Sequence, residues 1–234
     1  MNLADLIDES SCLLIDFDGP ICVVFAGRPA AAVADELRTV IRRYFAGELP
    51  SAIAELTADP LQILTAVARL QDQHLTHEVT QACRDAEVAA VESAVPTPGA
   101  AEVLQAAHAS GRQVAIVSNN ATDAISAYLQ NHDLIRYAEG ITARFDGMDP
   151  RLLKPHPFLL ERGLTATGAA RNGTAFIGDS VTDIEAGRAA GIPTIGYANK
   201  PGKHQRLTDA GADVVIDSMH DLANALHTAA NPAR

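Results

Sequence analysis

The sequence predicts an α/β fold, a doubly wound and mostly parallel sheet with an inserted α-helical cap, and two observations lead there. Short apolar runs alternate with helix-length amphipathic segments through most of the 234 residues, and one long stretch, 21–94, breaks that alternation. Alternation at this spacing builds βαβ units, which bury a parallel sheet under helices on both faces. In order, the runs 12–15, 114–117, 174–177, 194–195 and 214–216 end in polar or glycine-containing turns and are expected to be buried strands, with 140–142 as an edge strand. Helices are expected over 99–109, 121–129, 158–167, 181–190 and 203–210, where apolar residues recur near helical spacing.

Within 21–94 only the run 21–25 reads as extended. Beyond it the apolar positions follow helical spacing, at Val33, Leu37, Ile41 and Phe45, at Leu61, Leu64 and Ala68, and at Val79, Cys83, Ala86 and Ala90. Pro60 suits the first turn of a helix, and Val95-Pro96-Thr97-Pro98-Gly99 favours a stiff extended return. The expected division is a catalytic core of 1–20 plus 95–234 and a helical cap domain of 21–94.

Hydrophobic residues make up 47% of the chain and charged residues 20%, too apolar for a disordered protein. A formal charge of −11 argues against nucleic-acid or anionic-membrane partners, and no apolar stretch reaches the ~18 residues of a membrane span. The opening MNLADLIDES is acidic where a secretory leader is positive. Three cysteines, Cys12, Cys22 and Cys83, are too few for a disulfide scaffold and fit a reducing compartment. A cytoplasmic location is therefore expected; the oligomeric state is open. Lysine is scarce, with Lys154, Lys200 and Lys203 against fifteen arginines, so a role needing an ammonium has three candidates.

Ligands of parallel sheets bind beyond the carboxyl ends of the strands, so the residues following each apolar run carry the chemistry. Here they are Asp16-Phe17-Asp18-Gly19-Pro20, Ser118-Asn119-Asn120 and Gly178-Asp179-Ser180-Val181-Thr182-Asp183, with Lys154-Pro155 at a loop-to-helix junction. Two unit charges ~4 Å apart repel by about 4 kcal/mol at an effective dielectric near 20, so Asp16, Asp18 and Asp179 converging at one rim require a proton or a divalent cation. Oxygen donors of this kind select a hard ion such as Mg²⁺, which also takes phosphate oxygens. Residues two apart on an extended segment share a face, so Asp16 and Asp18 address one reacting centre while Phe17 turns into the sheet. One carboxylate can then attack phosphorus while the other moves a proton, and Ser118, Asn119 and Lys154 can hold the non-bridging oxygens.

This ordered set resembles the haloacid dehalogenase superfamily over nearly the whole chain. Asp16-Phe17-Asp18-Gly19 matches its first motif, Ser118-Asn119 its second, Lys154-Pro155 its third, and Gly178-Asp179-Ser180-Val181-Thr182-Asp183 its acidic fourth. The resemblance implies Asp16 as nucleophile and Asp18 as general acid/base. It implies Asp16, the Asp18 carbonyl and Asp179 as Mg²⁺ ligands, Asp183 as a supporting or direct ligand, and Ser118, Asn119 and Lys154 around the phosphoryl group. The cap position is that of the branch containing phosphoglycolate phosphatases and β-phosphoglucomutases, whose caps exclude water and select the substrate. Pro20, where the family most often has threonine or another small residue, is expected to stiffen the turn after Asp18.

The expected activity is Mg²⁺-dependent hydrolysis of a small phosphorylated metabolite through an aspartyl-phosphate. A phosphomutase would use the same residues; a dehalogenase would lack Asp18, because a departing halide needs no proton. A phospho-accepting receiver module also combines acids, a hydroxyl and Lys-Pro, but places its acceptor after the third strand and has no cap. Asp179 and Ser180 also have plain readings as helix caps, as does Asn120 before Ala121. His74 and His77 read as solvated surface. Arg28, Arg42 and Arg43 are candidates for an anionic substrate group, with solvated surface as the default.

Overall fold

The structure is a computed structural model and describes residues 2–229. In chain order it contains α1 (Leu3–Asp8), β1 (Cys12–Ile15), β2 (Cys22–Val23), α2 (Ala30–Tyr44), α3 (Ser51–Ala54), α4 (Pro60–Arg69), α5 (Gln73–Val91) and β3 (Val95–Pro96). There follow α6 (Ala100–Ala109), β4 (Gln113–Ala121), α7 (Thr122–Asn131), β5 (Gly140–Arg144), α8 (Phe158–Thr167) and β6 (Thr174–Gly178). The last elements are α9 (Val181–Ala190), β7 (Thr194–Tyr197), α10 (Lys203–Asp209), β8 (Val214–Ile216) and α11 (Met219–Thr228).

Six strands form one sheet in the order β5-β4-β1-β6-β7-β8, every neighbouring pair parallel. Alternate residues of the central strands enter opposite cores, as period-two geometry requires. Leu13, Ile15, Ile116 and Ile177 pack with Val103, Ile125 and Leu222 on one face, whereas Leu14, Val117 and Phe176 pack with Leu159, Leu160 and Ala186 on the other. Both faces are thus covered, and the sheet is doubly wound. The α/β fold and the edge position of β5 agree with expectation.

The insertion has an apolar centre of its own. Leu37 and Ile41 of α2, Ile63, Leu64 and Val67 of α4, and Leu75, Val79 and Cys83 of α5 bury one another. Side-chain caps start two of these helices: Asp59 accepts from Leu61 N at 2.9 Å ahead of Pro60, and Asp72 accepts from Leu75 N at 2.9 Å. Phe45, expected on the α2 face, lies just beyond its end and is exposed, because Ala46 (φ 52°) and Gly47 (φ 96°) turn the chain. The return connector is extended as expected, and pairs antiparallel with the outgoing one, Cys22 with Pro96 and Val23 with Val95. A two-residue ribbon tolerates the missing proline N–H. Thr97 fastens it to the first loop by donating from N to Ile21 O at 3.0 Å and from Oγ1 to Gly19 O at 2.6 Å.

Candidate active site

Register brings the site together. Ile15 lies opposite Ile116 and Ile177, and Asp16 N donates to Ile177 O at 2.8 Å, so the segments after β1, β4 and β6 leave the sheet side by side. Phe17 is fully buried and meets Tyr128 edge to face at 5.3 Å, which leaves Asp16 and Asp18 on the other side, in one cavity. Gly19 then turns at φ 108°; a Cβ there would lie 2.6 Å from Asp179 Oδ2, so neither the conformation nor the space suits a side chain.

Asp16 is 6% exposed, and its Oδ1 lies 2.8 Å from Lys154 Nζ, which is itself 2.6 Å from Asp183 Oδ1. Burial opposes the Lys154 charge, but Asp16 and Asp183 outweigh it and raise the ammonium pKa above its ordinary value. Burial, then the nearby Asp183, pushes Asp16 up to about 7, against the pull of Lys154. Asp18 is raised to about 6, chiefly by burial, with Val24 N donating to its Oδ1 at 3.0 Å in the opposite sense. Burial and Asp183 also raise Asp179, offset by Lys203, whose ammonium contacts Asp179 Oδ2, and by Asn199 Nδ2 at 2.9 Å from the same oxygen.

The fourth segment divides its work. Ser180 caps α9 and Asp183 closes the capping box, accepting from Ser180 N at 3.0 Å through Oδ2 while Oδ1 faces Lys154. Asp179 is not a cap: it faces the cavity and the two residues that follow β7. Ser118 is buried beside this group. Asn119 Oδ1 accepts from Lys154 N at 2.8 Å and its Nδ2 donates to Lys154 O at 3.2 Å, so this side chain holds the lysine segment in position.

Asn120 corrects its plain reading. Strand β4 runs on to Ala121 with an irregularity between Ser118 and Ala121, and the buried Asn120 amide donates to Glu87 Oε1 at 3.2 Å instead of capping α7. Glu87 comes from α5, is fully buried, also accepts from Ala121 N at 2.8 Å, and is paired with buried Arg144 of β5. Sequence reasoning missed this pair, and missed Asn199 and the engagement of Lys203. For Lys203 a signal existed in the scarcity of lysine; the others carry none.

Carboxylate oxygens of Asp16, Asp179 and Asp183 lie within 4.8 Å of one another. They are hard donors and outnumber the ammonium among them, and burial, then the neighbouring Asp183, raises the pKa of Asp16 and of Asp179; these residues fit a small divalent cation. Asp18 turns its carboxylate toward Val24 N and stands outside this group of three carboxylates. The cavity measures about 320 Å³ and is lined on the core side by Asp16, Asp18, Ser118, Asn119, Lys154, Asp179 and Asp183, and on the insertion side by residues of 25–30 and 58–61. A larger cavity of about 620 Å³, between α4, α5 and residues 147–151, contains none of these groups; its Asp72 caps α5 and its Asp149 pairs with Arg151.

Buried carboxylates around the Lys154 ammonium, with a hydroxyl alongside, at the carboxyl edge of a parallel sheet make a candidate enzyme site for an anionic group. The chain belongs to the haloacid dehalogenase-like hydrolases, whose family model matches residues 11–191. It is 33% identical over 137 residues to a phosphoglycolate phosphatase of Salmonella typhimurium, covering 58% of this chain and 53% of that protein, so it spans about half the length of the curated relatives it matches. Among solved structures it resembles a haloacid dehalogenase-like family hydrolase from Streptococcus pneumoniae, with a TM-score of 0.63 and 16% identity over 92% of this chain and 98% of that one. A hydrolase from Pseudomonas syringae gives a TM-score of 0.63 at 21% identity, over 94% and 99% of the two chains. These two likenesses concern the fold. No helix among the described residues is long and apolar enough to cross a membrane.

Proposed function

We propose that the chain is a Mg²⁺-dependent phosphatase that hydrolyses a small phosphate monoester, with 21–94 acting as a cap over the site of the 1–20 plus 95–234 core. The observation that carries this reading is the pairing, in one cavity, of Asp16 with a second acid, Asp18, raised to about 6. An acid titrating near neutrality suits a group that must both give and take a proton.

Asp16 attacks phosphorus, forming an aspartyl-phosphate as the ester P–O bond breaks, and Asp18 gives its proton to the departing alkoxide. Ionised Asp18 then takes a proton from water as that water attacks phosphorus; the bond to Asp16 breaks, inorganic phosphate leaves, and Asp18 is again protonated. Ser118 and Lys154 hold the non-bridging oxygens, with Asn119 fixing the lysine. Asp16, Asp179 and Asp183, with the Asp18 carbonyl, would hold Mg²⁺, which supplies charge neutralisation between carboxylates and phosphate.

The curated phosphoglycolate phosphatases matched support this reaction class. Family membership argues against a receiver module, and Asp18 against carbon–halogen hydrolysis. The test is Asp16→Asn in a chain with unchanged circular dichroism: turnover of p-nitrophenyl phosphate with Mg²⁺ should fall to background, and retained turnover would reject the assignment. Release of inorganic phosphate, rather than an isomerised ester, distinguishes hydrolysis from mutase action.

A further inference from the structure

We propose that this cavity selects phosphomonoesters whose leaving alcohol is uncharged or cationic and rejects those bearing a carboxylate, an inference that rests on the phosphatase reading above. The insertion side of the cavity presents Phe25, Ala30, Ala58, Pro60, Leu61 and the carboxylate of Asp59. Among the described residues lining the whole cavity, five are aspartates and the single base is Lys154, whose ammonium is already engaged by Asp16 and Asp183. The phosphoryl group takes Lys154 and the bound cation, so the rest of the ester faces the apolar wall and Asp59.

The nearby cations are committed elsewhere or lie outside the lining. Arg28 donates to both oxygens of Glu36 at 2.7 and 2.8 Å, and Arg42 and Arg43 are exposed near the far end of α2. Lys203 engages Asp179, and Lys200 is exposed on the core side, acting on Asp18 from beyond the lining. Asp59 is held in place by its own helix, since its Oδ1 accepts from Leu61 N at 2.9 Å. A carboxylate on the leaving group would therefore meet a fixed like charge without a partner, whereas a hydroxyl, a methyl or an ammonium would not. A volume of about 320 Å³ is at the small end for ligand sites, which suits a small ester.

The test compares kcat/KM for three two-carbon esters at saturating Mg²⁺: ethyl phosphate, phosphoethanolamine and 2-phosphoglycolate. The first two should exceed the third by about tenfold or more, the scale of one unscreened like charge within the cavity. Asp59→Asn retains an oxygen able to cap α4, and should raise the ratio of 2-phosphoglycolate to ethyl phosphate by about threefold to thirtyfold. Ala58→Arg, at an exposed loop position, should shift that ratio the same way by supplying a cation without disturbing the fold. Turnover of 2-phosphoglycolate equal to or better than ethyl phosphate would overturn the selectivity while leaving the phosphatase reading intact. Turnover of none of these, nor of p-nitrophenyl phosphate, would overturn both.

Discussion

In the proposed mechanism Asp18 supplies the proton that a departing alkoxide needs and a departing halide does not, and its surroundings suit that role. The first loop folds back at Gly19, Val24 N donates to one of its oxygens, and burial raises its pKa to about 6, so near neutral pH it can both hold and release a proton. Its contribution depends on how badly the leaving oxygen needs that proton. Asp18→Asn should lower kcat by about 10²–10⁴ for an alkyl phosphate and by markedly less for p-nitrophenyl phosphate, whose phenolate leaves unaided. Equal losses on both esters would show that Asp18 supports the loop and not proton transfer. Lys154 is different: ion-paired to Asp16 and Asp183, it organises charge before any substrate arrives.

At the scale of elements, the insertion and the core are joined by a buried charge pair next to Asn120 of the cavity lining. Glu87 of α5 reaches into the irregular end of β4, where it accepts from Asn120 and Ala121 and pairs with Arg144. Since both charges are buried, removing one leaves the other unpaired. Glu87→Gln should destabilise the chain by about 3–5 kcal/mol in urea unfolding and, because Asn120 contacts Ser118, raise KM for a phosphate ester. An effect below about 1 kcal/mol would mean that water satisfies Arg144 instead. This junction also shows where sequence reading stops. The strands 12–15 and 214–216 were legible with their ends because compact apolar runs are bounded by polar turns, and Asp16, Asp18, Ser118 and Asp179 were legible because strand ends are where ligands bind. The extension of β4 through Ala121 was not, since Glu87 and Arg144 lie 57 residues apart and only tertiary contact makes Asn120 a partner of one of them. Helix α11 was unmarked for a plainer reason: Met219, Leu222, Ala223 and Leu226 make a helical stripe whose significance depends on the α6 surface it covers.

Over the whole molecule, the carboxylate site links folding to pH and, through the proposed Mg²⁺, to the cation. Asp16 and Asp18 are raised to about 7 and about 6 in the folded chain, against an ordinary 3.8, and Asp179 is raised as well. A carboxyl whose folded pKa exceeds its unfolded one adds stability that is complete below about pH 4 and lost as pH rises through the folded value. Lys154 stays charged in both states across this window, so it does not reverse the trend. The cation-free chain should thus lose stability from these groups between about pH 4 and 7, the range in which the site acquires charge and, on the proposed reading, affinity for Mg²⁺. The rise in Tm on adding Mg²⁺ should accordingly be small near pH 5 and largest above pH 7. It should disappear in Asp179→Asn, which keeps the hydrogen-bonding shape but removes a charge. A Mg²⁺-induced rise that is constant from pH 5 to 8, or that survives in this variant, would place the cation somewhere other than among these aspartates.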